Sequence, residues 1–247
     1  MKTLIPALLI THVAAGTIAL LIGLVPMLSK KGSQLHNRTG RVYVWCMTYV
    51  AASAILLFVF QPFSLFRLFL TGVAVFSFYL STTGYRAVLL KRAKRTLQTP
   101  SAFDRWLTYL TLIVSVGMIG FGGFLMSQSA SFMSILFTFF GTLTLVFSSR
   151  DAWQFGRPTV QMFWFFQHFT RMAGSYIAAF TAFLVNNGRM FPAGTPEWVS
   201  LASWIAPSFV GSVLIFRTVA YYKAKLAGNG PMLTTTAPSK PAPAPLH

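Results

Sequence analysis

Seven apolar runs occupy most of the first 225 residues, each near the roughly 20 residues that a helix needs to cross the hydrocarbon of a bilayer. No other feature constrains the fold as tightly. The expectation is an all-α chain: a polytopic transmembrane bundle of about seven helices, near residues 3–28, 42–60, 64–88, 106–126, 131–149, 160–185 and 199–222. Gln61-Pro62-Phe63 marks a turn, because proline lacks the donor a continuing helix uses. Ser127 to Ser131 makes a second, shorter one. Hydrophobic residues make up 55% of the chain and charged residues 9%, against about a quarter charged in a soluble domain. An ordinary soluble enzyme is excluded.

The net charge is +17, which invites a nucleic-acid reading. The basic residues, however, sit between apolar runs and form no stripe interleaved with aromatics. No nucleic acid is therefore expected. Lys and Arg gather in the loops after the first, third and fifth runs and after the seventh. The opposite side has only Lys2, Arg67 and Arg189. The positive-inside rule then puts the N-terminus outside and the C-terminus in the cytoplasm. The first run continues to Leu28 without a convincing cleavage site and reads as a retained helix. Residues 1–225 form the transmembrane domain. Residues 226–247, with Pro231, Pro238, Pro241, Pro243 and Pro245 among Gly, Ala, Thr and Ser, read as a disordered cytoplasmic tail.

Cys46 is the single cysteine, so no intrachain disulfide and no cysteine-based metal site can form. The acids number three, Asp104, Asp151 and Glu197, which leaves little for general acid–base work.

An ionisable residue at depth in a membrane is a functional candidate, because it is expensive there. His12, His168 and Arg171 qualify. His12 shares a face of the first helix with Gly16, Ala19 and Gly23, where a helix or a flat ligand can approach closely. His168 and Arg171 are three apart and project from one side of the sixth helix. Arg171 lies roughly 16 Å along that helix. The apolar runs as drawn contain no acid to pair with it. Backbone carbonyls, water, Asp151 folded back from its loop, or a bound anion are the available partners. His36 falls in the first basic loop, before Gly40 and Arg41. The aromatic run Phe163-Trp164-Phe165-Phe166 reads as an interfacial belt.

Two stretches carry a resemblance. His12-x3-Gly16, Lys31-Gly32 and His36-x-Arg38-x-Gly40-Arg41-Val42-Tyr43 form the first. The second is His168-x2-Arg171-Met172-x-Gly174-Ser175-Tyr176-Ile177-Ala178-Ala179-x-Thr181-Ala182-Phe183. Together they resemble the bacterial membrane family catalogued as domain of unknown function 2306, over the chain to about residue 222. That resemblance implies a multi-pass protein of the bacterial inner membrane and no particular reaction. It marks His12, His36, Gly40, Arg41, His168 and Arg171 as positions to test.

The primary functional expectation is a polar intramembrane pocket around His12, His168 and Arg171, binding or transporting a small anionic or amphipathic molecule. His36 and Arg41 are further candidates for ligand binding. The alternative is a redox protein holding a b-type haem, for which histidine is a usual axial ligand. One haem needs two histidines at similar depth. The boundaries above put His12 in the outer half, His168 in the inner half and His36 at the cytoplasmic surface, with adjacent levels roughly 10 Å apart. A zinc enzyme, needing three ligands and water, meets the same obstacle. An assembly partner using the small-residue stripes is also compatible. The lipid bilayer is a partner in every case.

Overall fold

The computed structural model describes residues 3–92, 99–157, 162–187 and 194–228. These form seven helices: α1 (Leu4–Leu28), α2 (Gln34–Phe60), α3 (Leu65–Arg92), α4 (Ala102–Gln128), α5 (Phe132–Gln154), α6 (Phe163–Asn186) and α7 (Glu197–Gly228). No strand occurs among the described residues. Six helices are long and apolar enough to cross a membrane. The remaining one, α6, has 24 residues, about 36 Å at helical rise. It has the length, but its Gln, His, Thr and Arg side chains lower its apolarity.

Helix number matches expectation; several helix ends do not. α2 starts eight residues before the expected 42. α5 runs to Gln154 and α7 to Gly228, past the anticipated tail boundary at 226. The apolar runs record where the hydrocarbon ends. Lys, Arg and Gln are good helix formers, so the backbone winds on through the interface. Capping decides the true starts. Ser33 accepts from the His36 backbone N–H at 3.2 Å and opens α2. Gly32 supplies the left-handed φ of +78° in the turn before it. Ser101 and Ser131 form capping boxes at α4 and α5. The rest of the expected tail, 229–247, lies outside the described residues.

α3 is the central helix and touches α2, α4, α5 and α6. α6 packs on α3, α1 and α7. α4 lies along α5, where glycines allow the approach. A Cβ on Gly122 would come within 2.8 Å of the Thr138 backbone N, and one on Gly141 within 3.0 Å of that of Ile119. Small residues do this work in lipid, where tails are as apolar as leucine and close packing drives association.

Cross-helix contacts identify one end of the bundle. Pro26 meets His36, Gly84 meets His168, Arg86 meets Asp104, and Asp151 meets Arg171. Phe165 of α6 packs on Tyr222 of α7, so the expected aromatic belt is partly a helix–helix contact. Neighbouring helices therefore alternate in direction. Basic residues of the described segments collect at this end; Arg67 alone lies at the other. There Phe69 sits edge-on to Phe137, Phe140 and Trp204, with centroids 5.2–5.5 Å apart, and forms the largest apolar core.

Candidate functional site

At the basic end the short α1–α2 turn brings a histidine against a free carbonyl. The last four carbonyls of a helix have no intrahelical partner. In α1 those of Pro26 and Met27 accept from Lys31 Nζ, at 2.9 and 2.6 Å. A cation there also complements the helix dipole. Partial burial holds the Lys31 ammonium below the ordinary lysine pKa. The Pro26 carbonyl lies 2.9 Å from His36 Nδ1 as well. His36 is thus not in a solvated loop at the membrane surface. It occupies the first turn of α2, half-buried.

His168 enters from α6. Its Nδ1 lies 2.8 Å from the Gly84 carbonyl of α3. Gly84 makes this approach feasible: a Cβ there would sit 2.9 Å from Arg171 Cβ and 3.1 Å from the Met172 backbone N. The two imidazoles meet, with centroids 6.2 Å apart and planes at 66°. This corrects the depth argument, which separated His36 from His168 by a level. The separation came from starting α2 at 42; the helix begins early enough to carry His36 to the depth of His168.

The electrostatics follow from the partners. A carbonyl only accepts, so Nδ1 donates in both rings. In the neutral ring Nε2 then holds the lone pair. Neither Nε2 has a hydrogen-bond partner among the described residues. The site therefore presents two oriented imidazole acceptors. Lys31 lies within electrostatic range of His168. The Ser29 hydroxyl, at the end of α1, is buried with no hydrogen bond.

Arg171, one turn beyond His168, has a different role. It is 3% exposed. Its Nη2 reaches Asp151 Oδ1 at 2.5 Å and the Phe147 carbonyl at 3.2 Å. The Tyr79 hydroxyl donates to the other Asp151 oxygen. The guanidinium carbon lies 4.6 Å from the Phe147 ring centroid and 5.4 Å from that of Tyr79. Nη1 is buried without a hydrogen bond. The expectation that no helix offers an acid to Arg171 is corrected, because Asp151 stands on the last turn of α5. That buried pair joins α5 and α6 and neutralises the arginine.

The remaining candidates lie elsewhere. His12 Nδ1 is 2.8 Å from Ser53 Oγ, and Ser53 donates to the Tyr49 carbonyl at 2.7 Å. This polar contact ties α1 to α2. Pro26 is fourteen residues further along α1, about 21 Å at helical rise. His12 is therefore not brought together with His168 and Arg171. Arg41 is exposed on α2. Cys46 is a free, half-buried thiol.

Sequence reasoning overlooked Tyr79, Gly84 and the Lys31 contacts. Asp151 carried the one usable signal, being one of three acids in the chain. A second buried link also went unseen: Tyr43 Oη lies 2.8 Å from Ser175 Oγ, joining α2 to α6. No family model, curated protein or solved structure matches the chain.

Proposed function

We propose that this multi-pass membrane protein binds a small amphipathic molecule at the basic end of its bundle, through Nε2 of His36 and of His168. One observation carries the reading: two half-buried imidazoles lie with ring centroids 6.2 Å apart, both Nδ1 atoms committed to backbone carbonyls of other helices. Here each ring is held by one nitrogen and offers the other. Lys31 supplies positive charge nearby, so an anionic group on the ligand is favoured. Arg171 supports the site through its ion pair and does not select the ligand's charge.

The positive-inside rule places this end in the cytoplasm, with the N-terminus outside. The motif stretches support membership of the domain of unknown function 2306 family and, with it, a bacterial inner membrane. Both are proposals resting on sequence.

Native mass spectrometry of the full chain, released from mild detergent, tests the ligand site. The wild type is expected to carry a bound small molecule that the His36→Ala/His168→Ala double variant has lost. Equal occupancy of both proteins, or none on the wild type, would sink the reading.

A further inference from the structure

We infer that the molecule held at this site is a b-type haem, with its iron between Nε2 of His36 and Nε2 of His168. The inference rests on the ligand-site reading above and gives it a chemical identity.

Distance is the first argument. Two imidazoles bound end-on to one metal at about 2.0 Å put their ring centres about 6.2 Å apart. The observed separation is 6.2 Å. An interplanar angle of 66° is no obstacle, since ligation on opposite sides of one metal prescribes no angle between the two ring planes.

Ligand number is the second. A bare zinc ion takes three or four protein ligands. No group of three His, Cys, Asp or Glu that could hold an ion occurs among the described residues. A set of two nitrogens is complete only if the metal arrives with its other ligands already attached, as iron does in a porphyrin.

The bonding of the far ring nitrogens is the third. A metal-ligating histidine almost always donates its other ring N–H to a carbonyl or carboxylate, which fixes the tautomer and raises ligand basicity. Both imidazoles do so, to Pro26 and Gly84.

Space is the fourth. His36, Gly40, Tyr43 and Met47 follow one face of α2, and Tyr43 and Met47 are buried. Gly40 lies between His36 and these two, yet a Cβ built on it would meet nothing within 4 Å. The inward face of α2 thus has a gap one turn from His36. On α6 every residue from Phe163 to Thr170 is half-buried, so no face is sealed. Beyond it, Arg171, Ser175, Ala178 and Thr181 are all buried. The bundle is closed below His168 and only half-closed around it, and that half-closed stretch contains five aromatic rings besides the imidazole. Lys31, bonded to the same Pro26 carbonyl as His36, stands where a haem carboxylate would need a donor.

The test is hemin titration of the purified full chain, followed by visible spectra before and after dithionite. The wild type is expected to give a six-coordinate, low-spin spectrum with sharp reduced α and β bands. His36→Gly and His168→Gly should each become five-coordinate or lose the haem, with at least a tenfold weaker hemin affinity. Free imidazole should restore the six-coordinate spectrum in either variant, which a purely structural histidine would not allow. Gly40→Leu keeps the histidines and fills the gap. It should elute as the wild type does and bind hemin at least tenfold more weakly. His12→Ala should be spectrally unchanged. A wild type that binds no hemin, or a six-coordinate spectrum that survives both histidine variants, would overturn the haem assignment. If hemin fails while native mass spectrometry still shows a molecule lost in the double histidine variant, the ligand site stands and haem falls. If both fail, both readings fall.

Discussion

Removing the Asp151 carboxylate should destabilise the bundle more than removing the Arg171 guanidinium, and removing both should restore most of the loss. The pair is a 2.5 Å contact between side chains 4% and 6% exposed. Breaking a buried pair by deleting one partner typically costs about 3–5 kcal/mol, because a charge stays behind uncompensated. The two deletions are not equivalent. Asp151→Leu strands a guanidinium that stays charged at any accessible pH, with only the Phe147 carbonyl and two ring faces to hold it. The full penalty of about 5 kcal/mol is expected. Arg171→Met leaves a carboxylate that can neutralise itself by taking up a proton and still accept from Tyr79. The loss should stay near 3 kcal/mol. In Arg171→Met/Asp151→Leu no charge remains, and replacing a buried pair by apolar residues is often neutral or better. The double variant should sit within about 1–2 kcal/mol of the wild type, giving a coupling of several kcal/mol where distant sites add to within about 0.5. Thermal denaturation in detergent, read by size-exclusion after heating, reports this on the order of a 10 °C drop for the worse single variant. Additive losses, with the double variant the least stable of the three, would refute the reasoning. The double variant also separates roles. If it is stable and still takes the ligand, Arg171 serves packing; if it is stable and empty, the arginine contacts the ligand.

Three further outcomes are expected. Gly84→Val should wedge α3 from α6 against the Met172 backbone, a loss of about 1–3 kcal/mol in the same assay, while Gly117→Val, with nothing within 4 Å of its Cβ, should change stability little. Tyr43→Phe should lose about 0.5–1.5 kcal/mol with its Ser175 bond, and a variant as stable as the wild type would show that bond to contribute nothing. Reporter fusions in the α1–α2 and α6–α7 turns should report opposite sides of the membrane, the first cytoplasmic; a shared side would mean that the helices do not all cross.

The helices were legible because length and apolarity record a bilayer crossing directly. Their ends were not, since charge marks where lipid stops and the backbone hydrogen-bond ladder continues past that point. This affected the site at two positions. His36 looked like loop because Lys30, Lys31, Arg38 and Arg41 surround it, although Ser33 three residues earlier is a capping residue of the usual kind. Asp151 looked like loop because Arg150 precedes it. Once α5 extends one further turn, Asp151 faces the arginine that seemed to lack an acid. Gly84 and Tyr79 were illegible for another reason. A glycine or tyrosine in an apolar run is unremarkable until a particular neighbour packs on it, and which helix neighbours which is not written in periodicity.

Each imidazole of the site is fastened to the backbone of a different helix, and this sets an order for biogenesis. As the chain emerges from the insertion machinery, α1 and α2 come first. The His36 clasp to Pro26 spans only a short turn, so it can close at once. The Gly84 carbonyl on α3 must then wait for α4, α5 and the loops between them before His168 arrives to claim it. A chain halted before α6 carries half of the site and an unclaimed polar seam along α3. Under the proposed reading, loading of a ligand therefore belongs to the last stage of assembly, after the sixth helix has docked.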